Sequence, residues 1–388
     1  MITTLAVHGY RSLRDVVLPL GRLTVVTGAN GTGKSSLYQA FRLLSDAASG
    51  RLVSSLAEAG GLSSVLWAGP EVISSAMRAG TVPVQGTGSR KRPVSLMLGL
   101  ASDAFSYLVD VGLPTPSASM FARDPEIKRE VLWDGPVLRP AATLVSRSRT
   151  LVKVRGDAGW ESVTDAMSPR ESVLFSLTDP RGFPELATLR AQVASWRFHD
   201  QVRTDRQSPA RQPQVGTWSP VLDHDGHNLA AAVQTIRESA WDALLVGAIA
   251  DAFDGSVLEV AESGGLFLLS LRQPGMLRPM GVTELSDGTL RYVALATALL
   301  SPRPPGLLVL NEPETSLHPQ LTGALARLIA AAAGRTQIVV VTHSAALVDA
   351  LEAEASETVR HELVKELGET RVDGQGLLTR PTWDWGSR

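Results

Sequence analysis

The sequence feature that most constrains the fold is the octapeptide GANGTGKS at residues 28–35. It fits the pattern G-x-x-x-x-G-K-S, which needs a strand before it and a helix after it. The apolar stretch Leu23 to Thr27 predicts a buried strand, and apolar residues at spacings of three and four predict a helix over residues 34–48. Glycines let backbone N–H groups close around phosphate oxygens at the start of a helix. The sequence therefore predicts a phosphate-binding loop.

Two further motifs lie in the last third of the chain. The segment ELSDGTLRYVALATALL predicts a helix whose first turn contains Ser286 and Gly288. The segment LLVLNEPE predicts an apolar strand that delivers Asn311 and Glu312 to its carboxyl end, the edge where open parallel sheets bind ligands. Each has an ordinary alternative, a helix cap for the first and a turn before Pro313 for the second. The phosphate-binding loop upstream favours the functional interpretation.

A second apolar strand, QIVVVTHS, ends at His343. A single histidine is more often a structural hydrogen-bonding residue than a reactive one. Its place at a strand tip after the acidic turn makes His343 a candidate sensor of the γ-phosphate. Lys34 is expected to reach the outer phosphates, and the Ser35 hydroxyl can ligate Mg²⁺.

The remaining chain predicts a mixed α/β architecture. Residues 2–8 and 16–27 predict a hairpin-like start, with LPLGRL as its turn, that leads into the buried strand. Short apolar runs between residues 60 and 113 predict antiparallel strands, and SVLEVAESGGLFLLSLRQ predicts a hairpin around Gly264-Gly265. Residues 289–350 alternate helix and strand, which is typical of a parallel sheet.

Composition excludes several classes of protein. The formal net charge of −2 excludes a uniformly basic surface, although a local basic patch remains compatible with it. Zero cysteines exclude disulfides, a thiolate nucleophile and a Cys-based zinc site. No uncharged stretch reaches the roughly 18 residues that span a bilayer. We therefore expect a cytoplasmic protein without a membrane partner.

The order of the motifs resembles the ABC-type ATPase heads, and within them the RecF, SMC and OLD-like group, an AAA_21-like kind of ATPase. The residues that carry the resemblance are GYRSL at 9–13, GANGTGKS at 28–35, LSDGT at 285–289, NEPETSLHP at 311–319 and THS at 342–344. LSDGT departs from the usual LSGGQ pattern at its third and fifth residues. The motifs cover the two ends of the chain, and residues 60–220 are covered only by inference.

The resemblance implies an α/β fold, an ABC/RecF-type P-loop ATPase head with a mixed sheet core, an antiparallel β subdomain and an inserted lobe. We expect residues 1–115 to form the N-terminal half with the P-loop, 116–220 the inserted lobe, and 221–388 the C-terminal half with the signature helix, acidic strand and histidine strand. Long coiled-coil arms are not expected, because no heptad pattern is sustained. No nuclease domain is expected after the ATPase half, because about 45 residues follow His343.

Site residues carry over from the resemblance one by one. ATP would be held by Asn30, Gly31, Thr32, Gly33, Lys34, Ser35 and Ser36, and Mg²⁺ by Ser35 and Asn311. Ser286 and Gly288 would contact the γ-phosphate of a nucleotide bound to a second copy, with the turn 316–319 at the same interface. Glu312 would activate water, and His343 would be the switch histidine. Arg11 resembles a basic residue near the nucleotide, and a solvated surface arginine is the alternative.

Asn311 stands where the family pattern has Asp. The amide keeps a carbonyl acceptor and loses the charge. A charge pair about 4 Å apart at an effective dielectric near 20 is worth roughly 4 kcal/mol, so Mg²⁺ affinity would fall. Magnesium in such sites takes most of its ligands from phosphates, water and the P-loop hydroxyl. We therefore predict an active, slow ATPase in which Glu312 matters most.

These features predict an ATP-hydrolysing switch that forms a homodimer around ATP and acts in DNA repair or maintenance, or in antiphage defence with a separately encoded effector protein. The alternative is a catalytically weak nucleotide-binding scaffold that regulates a separately encoded nuclease or toxin. A transport cassette is disfavoured by the GYRSL start and the inserted lobe.

Two groups of residues have open interpretations. Arginines near Trp196 and His199 could form a nucleic-acid surface, and a solvated helix face and loop is the favoured alternative; they are Arg190, Arg197, Arg203, Arg206 and Arg211. Trp383 and Trp385 could form a partner-binding hook, and packing onto the core is favoured.

Overall fold

The computed structural model describes residues 1–70, 73–82, 95–115, 118–121, 123–200, 203–376 and 378–387. Its strands in chain order are β1 (Ile2–Tyr10), β2 (Leu13–Pro19), β3 (Leu23–Thr27), β4 (Leu96–Ser102), β5 (Phe105–Gly112), β6 (Glu126–Asp134), β7 (Thr143–Ser148), β8 (Leu151–Gly156), β9 (Gly159–Thr164), β10 (Arg197–His199), β11 (Gln214–Val215), β12 (Val257–Ser263), β13 (Leu266–Arg272), β14 (Met280–Gly281), β15 (Leu307–Asn311), β16 (Gln337–Val341), β17 (Thr358–Glu366) and β18 (Glu369–Val372). Its helices are α1 (Lys34–Ala48), α2 (Leu52–Glu58), α3 (Leu62–Val65), α4 (Ser75–Arg78), α5 (Val173–Ser176), α6 (Pro184–Ala194), α7 (Leu229–Arg237), α8 (Asp242–Ala252), α9 (Asp287–Leu299), α10 (Leu321–Ala333) and α11 (Ala345–Glu354).

The chain folds into two compact units. The first unit comprises residues 1–21, 26–196 and 361–388, and the second comprises residues 22–25 and 197–360. The chain passes from the second unit to the first inside β3, directly before the glycine-rich loop. That loop therefore belongs to the first unit, and the acidic turn and His343 belong to the second.

An eight-stranded antiparallel sheet forms the largest part of the first unit. Its strand order is β2-β1-β4-β5-β6-β7-β8-β9. The expected antiparallel strands upstream of residue 113 are confirmed by β4 and β5, which pair with Leu98 opposite Val109. The strand β3 and the helix α1 have the bounds that the sequence predicts. The mixed α/β fold class is confirmed.

The first hairpin turns earlier than predicted. β1 and β2 pair up to Tyr10 opposite Leu13, so the turn consists of Arg11 and Ser12. Arg11 has a φ of 48°, the left-handed conformation that two-residue hairpin turns need. LPLGRL connects β2 to β3 instead, and its assignment as the hairpin turn was wrong.

The structure distributes residues 116–220 differently from the expected inserted lobe. β6 pairs with β5, so β6 to β9 extend the same antiparallel sheet, and the segment from residue 197 belongs to the second unit. Glu130 and Arg147 are fully buried and lie 2.6 Å apart as an ion pair inside the sheet.

Parallel strands form the centre of the second unit. β10, β15 and β16 are neighbours and run parallel, with His199 opposite Leu310 and Asn311 opposite Val341. The Ile338 N–H donates to the Arg22 carbonyl at 2.8 Å, which places the start of β3 beside β16. The succession α9, β15, α10, β16, α11 confirms the alternation predicted for residues 289–350.

A small antiparallel sheet accompanies these strands, in the order β11-β13-β12 with β14 beside β13. The predicted hairpin is confirmed, because β12 and β13 pair with Ser263 opposite Leu266. Gly264 and Gly265 form its turn with φ values of 62° and 81°, which favour glycine.

The C-terminal tail packs onto the first unit. Trp383 contacts the cluster of Leu108, Val131 and Trp133, with its ring 5.8 Å from that of Trp133. Arg129 donates to the carbonyl of Trp385. The packing interpretation of the two tail tryptophans is therefore confirmed.

Helix lengths bear on two expectations. Among the described residues, no helix is long and apolar enough to cross a membrane. α1 has 15 residues, and no other helix in the described residues is longer. These lengths agree with the expectation of no long coiled-coil arms.

Candidate nucleotide site

Glycines shape the phosphate-binding loop of the first unit. Gly28, Gly31 and Gly33 have φ values of 145°, 80° and 108°, which side chains rarely adopt. A Cβ on Gly28 would lie 2.4 Å from the Leu363 carbonyl oxygen, and one on Gly33 would lie 2.3 Å from Thr370 Oγ1. The loop therefore packs directly on β17 and β18, and glycine is needed at both positions.

The Lys34 side chain lies against the carbonyls of this loop. Its buried side chain donates from Nζ to the Gly28 carbonyl at 2.6 Å and to the Ala29 carbonyl at 3.0 Å. The loop thus bends around an ammonium group that two of its carbonyls contact. Thr32 Oγ1 closes the same turn by donating to the Ala29 carbonyl at 2.8 Å.

The first turn of α1 leaves its amides for a ligand. Gly33 caps the helix without a side-chain hydrogen bond, and no acidic residue lies in the first turn. The first N–H groups of a helix have no intrahelical acceptor and carry partial positive charge. The Ser35 hydroxyl is exposed there, and Ser36 is buried beneath it. These features fit a bound phosphate chain, with Ser35 as the hydroxyl for a metal ion.

A polar contact behind the loop was missed by the sequence analysis. Thr370 Oγ1 on β18 lies 2.6 Å from the Thr32 carbonyl oxygen and 2.8 Å from Ser12 Oγ. The Thr370 N–H also donates to the Ser12 carbonyl at 2.8 Å. Thr370 therefore contacts both the phosphate-binding loop and the GYRSL turn. The sequence does not reveal this contact, because more than 300 residues separate Thr370 from the loop.

Arg11 lies in the turn that contains Ser12. It is exposed, and its guanidinium lies 5.4 Å from the centroid of the Tyr10 ring. Its expected contact with a nucleotide stays a prediction.

The acidic turn begins at the carboxyl end of β15. Asn311 is the last residue of the strand, and Glu312 follows with a φ of 47°. A left-handed non-glycine residue costs about 1 kcal/mol or more, and such residues cluster at functional sites. The Glu312 N–H donates to the Val341 carbonyl at 2.7 Å, which fixes this conformation.

Glu312 and His343 lie together in the second unit. Glu312 Oε1 is 3.3 Å from His343 Nδ1, and both side chains are partly exposed. They come from the ends of the neighbouring strands β15 and β16, as the motif order predicts. A carboxylate and an imidazole at this separation can contact the same water molecule.

Glu314 is a second carboxylate that the sequence analysis did not single out. Its Oε1 accepts from Thr342 Oγ1 and lies 3.8 Å from His343 Nδ1. Its Oε2 is buried and has no hydrogen-bond partner among the described residues. His343 is therefore flanked by two carboxylates.

Arg291 connects the ends of two strands. It is buried, and Nη2 donates to the carbonyls of Asp200 and Glu312, both at 3.2 Å. The register of β10 and β15 places Asp200 beside Asn311. Burial raises the pKa of the Asp200 carboxyl to about 6. Arg291 lies in the predicted signature helix, but only the fold shows this contact.

The signature segment adjoins the turn 316–319. Ser286 caps α9, and its Oγ accepts from the Thr289 N–H at 3.1 Å, which is the ordinary capping role weighed above. A Cβ on Gly288 would lie 2.8 Å from the Ser316 carbonyl oxygen. Glycine therefore permits close packing of the helix start on this turn, and the two expected interface segments form one surface.

Several side chains of the arginine-rich segment are buried or paired. Trp196, His199 and Arg211 are buried. Burial and the nearby Arg197 and His224 lower the pKa of His199 to about 4, so this histidine is neutral at physiological pH. Arg203 pairs with Asp205 at 2.9 Å. The nucleic-acid interpretation of the remaining arginines stays a prediction.

The family of the chain follows from a comparison with known families. The AAA_21 family model, described as "AAA domain, putative AbiEii toxin, Type IV TA system", matches residues 23–349. The chain belongs to the AAA_21 family. The match spans the phosphate-binding loop, the signature helix, the acidic turn and His343, and agrees with the expected ABC/RecF-type ATPase head. AAA_21 domains bind a nucleotide, typically with Mg²⁺.

Solved structures of SMC head domains are similar to this AAA_21 chain. One is an SMC head bound to the C-winged helix domain of ScpA, with a TM-score of 0.49, 15% identity and coverage of 97% of this chain and 98% of that chain. Another is the SMC head domain from Thermotoga maritima, with a TM-score of 0.47, 15% identity and coverage of 97% and 99%. A third is an Smc head domain with an extended coiled coil, bound to the C-terminal domain of ScpA derived from Pyrococcus furiosus, with a TM-score of 0.48, 14% identity and coverage of 96% and 95%. No curated protein matches the sequence.

Proposed function

We propose that the chain hydrolyses ATP to ADP and phosphate. The observation that carries the proposal is the 3.3 Å contact between Glu312 and His343 at neighbouring strand ends, in an AAA_21 chain whose phosphate-binding loop is intact. Asn30 to Ser36 would bind the phosphates through backbone N–H groups and Lys34. Lys34 would exchange the Gly28 and Ala29 carbonyls for phosphate oxygens.

The side chains of the acidic turn supply the chemistry. Glu312 accepts a proton from the attacking water, and His343 donates a hydrogen bond to the γ-phosphate. Mg²⁺, when bound, neutralises charge on the β- and γ-phosphates. The Ser35 hydroxyl and the Asn311 amide oxygen are the groups that would hold Mg²⁺. Glu314 and Thr342 hold His343 in place.

We further propose that ATP draws two copies of the chain together. Ser286 is exposed at the N-terminus of α9, and Gly288 packs against the turn that contains Ser316. An exposed helix start with a hydroxyl group favours the γ-phosphate of a nucleotide held by a second copy. This arrangement would make hydrolysis depend on dimerisation.

For the biological role, we propose a cytoplasmic switch that controls a separately encoded effector protein in defence. The description of the AAA_21 family, which names a toxin and a type IV TA system, supports this version. The buried and paired side chains of the arginine-rich segment give no support to a role in DNA repair through that segment. ATP-dependent retention on duplex DNA that falls steeply with salt would overturn the preference.

The experiment separates ATP binding from hydrolysis. We expect Lys34→Ala to lose most of the affinity for a fluorescent ATP analogue. We expect Glu312→Gln to keep that affinity and to lose about 100-fold or more of the single-turnover hydrolysis rate, as for removal of a general base. Glu352→Gln is the matched control, because this glutamate on α11 is exposed and pairs only loosely with Arg360, at 3.6 Å.

One observation favours a second candidate, a nucleotide-binding scaffold with weak catalysis. Asn311 lacks the charge that the family pattern has at this position. Equal and negligible hydrolysis by the wild type, Glu312→Gln and Lys34→Ala, with ATP binding lost only in Lys34→Ala, would establish the scaffold and contradict the hydrolase.

A further inference from the structure

Arg211 is the most extensively bonded arginine near the signature segment. It ends a single 3-10 turn, Pro209–Arg211, and is 5% exposed. Its Nη1 donates to the carbonyls of Val282 and Leu285 at 2.7 and 2.8 Å, and its Nε donates to the Thr204 carbonyl at 2.7 Å. One guanidinium thus holds the chain directly before Ser286.

The fourth contact of Arg211 reaches the motif itself. Nη2 donates to Asp287 Oδ1 at 2.8 Å. Asp287 is the third residue of LSDGT, where the LSGGQ pattern has glycine, and it lies between Ser286 and Gly288. Its side chain is 63% exposed. The departure from the pattern therefore has a partner in the fold.

We propose that Arg211, with Asp287, is the positioning residue that holds Ser286 and Gly288 for the nucleotide of a second copy. The inference rests on the proposed ATP-dependent dimerisation and names the residues that make it work. A planar guanidinium can bond two carbonyls on one side and a carboxylate on the other, which an ammonium group cannot match. The proposed role of Arg211 is exerted through the signature segment and involves no contact with the reacting atoms.

Burial makes the contact consequential. Arg211 donates to the carbonyls of Val282 and Leu285, and both residues are buried. A buried carbonyl that loses its donor destabilises the conformation of the segment that contains it. The segment before α9 would then become mobile, together with the exposed Ser286 hydroxyl. The phosphate-binding loop lies in the first unit, so its own affinity for nucleotide should not change.

The test uses the full chain with Glu312→Gln as the parent, so that ATP persists. The variants are Asp287→Ala and Arg211→Lys, and the matched control is Arg203→Ala. Arg203 lies in the same segment, but its ion pair with Asp205 is exposed. Dimerisation with Mg-ATP is measured by analytical ultracentrifugation over a protein concentration series. Affinity for a fluorescent ATP analogue is measured at concentrations where the protein is monomeric.

We expect the dimer dissociation constant to rise about 10-fold in Asp287→Ala and more in Arg211→Lys, with the analogue affinity within about 2-fold of the parent and Arg203→Ala unchanged. In the monomers, faster amide exchange over residues 282–290 in the two variants than in Arg203→Ala is the expected companion result. If Arg211→Lys does not fold, the result for Asp287→Ala decides the test. Removing the Asp287 carboxylate leaves the three hydrogen bonds from Arg211 to carbonyls in place, so this variant should fold.

Two outcomes would overturn the inference, and they differ in what else they overturn. Dimerisation of both variants at parental strength would overturn the positioning role alone. A parent that stays monomeric with Mg-ATP would overturn the proposed dimerisation and, with it, this inference.

Discussion

Asn311 is the residue that decides how the proposed site would hold its metal. It lies at the last position of β15, directly before Glu312, and its amide is the only group that its side chain offers. The proposed catalytic side chains lie close together, because Glu312 Oε1 and Glu314 Oε1 are 3.3 and 3.8 Å from His343 Nδ1. The loss of one charge therefore affects metal affinity more than the arrangement of the catalytic groups.

Restoring the carboxylate should strengthen metal binding. In Asn311→Asp, we expect the Mg²⁺ concentration for half-maximal ATP hydrolysis to decrease about tenfold, because the added charge interacts with the ion through water. The measurement is a Mg²⁺ titration at saturating ATP. Asn311→Ala is the comparison, and it should shift the midpoint the other way. An unchanged midpoint in Asn311→Asp would show that position 311 does not face the metal.

The sequence allowed prediction of some residues of the site and not of others. Lys34, Glu312 and His343 were accessible because each belongs to a short motif with a fixed place on a strand end or helix start. Thr370 and Arg211 were not, because their partners are far away in the sequence and ordinary in composition. Glu314 lay within the quoted NEPE motif, and it is distinguished by its contact with His343 and by a buried Oε2 that has no hydrogen-bond partner among the described residues.

At the scale of elements, the candidate site residues lie at the ends of strands and at the starts of helices. β3 and α1 were predictable to the residue because an apolar strand, a glycine loop and a periodic helix each give an unambiguous pattern. The first hairpin turn was not, since no glycine or asparagine occupies it and Arg11 adopts the left-handed conformation. The strands after residue 116 were not predicted, and two of them contain the charged residues Glu130 and Arg147, which the sheet buries as a pair.

β18 supports the phosphate-binding loop from behind, which gives a prediction. Thr370→Val removes the hydroxyl that lies 2.6 Å from the Thr32 carbonyl and keeps the side-chain shape. We expect affinity for a fluorescent ADP analogue to fall about 5- to 10-fold, the worth of one buried hydrogen bond. Thr370→Ser, which retains the hydroxyl, should bind within about 2-fold of the wild type. Equal affinity of the valine and serine variants would contradict the supporting role.

β10 gives a prediction about protonation. With the pKa of His199 lowered to about 4, the folded chain keeps this ring neutral while an unfolded chain protonates it below about 6.5. Its contribution to the free energy of unfolding is present above pH 6.5 and is lost as pH falls toward 4. Asp200, with its pKa raised to about 6, acts in the opposite sense, because its destabilising ionisation is relieved as pH falls below 6.

Because these two effects on stability offset each other, the ring itself should be observed. We expect the His199 ring resonances to stay constant from pH 8 to about 5 in an NMR titration. His199→Gln identifies the resonances by their disappearance. A midpoint near 6.5 would contradict burial of this strand end.

At the scale of the whole molecule, the motifs of the proposed ATPase are distributed over two compact units. The first unit offers a loop and a helix start that fit phosphates, and the second offers a carboxylate and an imidazole at strand ends. The family match across residues 23–349 spans both units. The order of the motifs made the family predictable from the sequence. The division at residues 196 and 197 was not, because it follows long-range contacts rather than a change in composition.

The proposed ATP hydrolysis is best tested by the steady-state rate of phosphate release from Mg-ATP, measured as a function of protein concentration. Lys34→Ala, measured at the same concentrations, controls for contaminating activity. We expect a rate that depends on Lys34 and rises faster than linearly with protein concentration, because the proposed hydrolysis needs two copies. A rate equal to that of Lys34→Ala at every concentration, with ATP binding intact in the wild type, would contradict it.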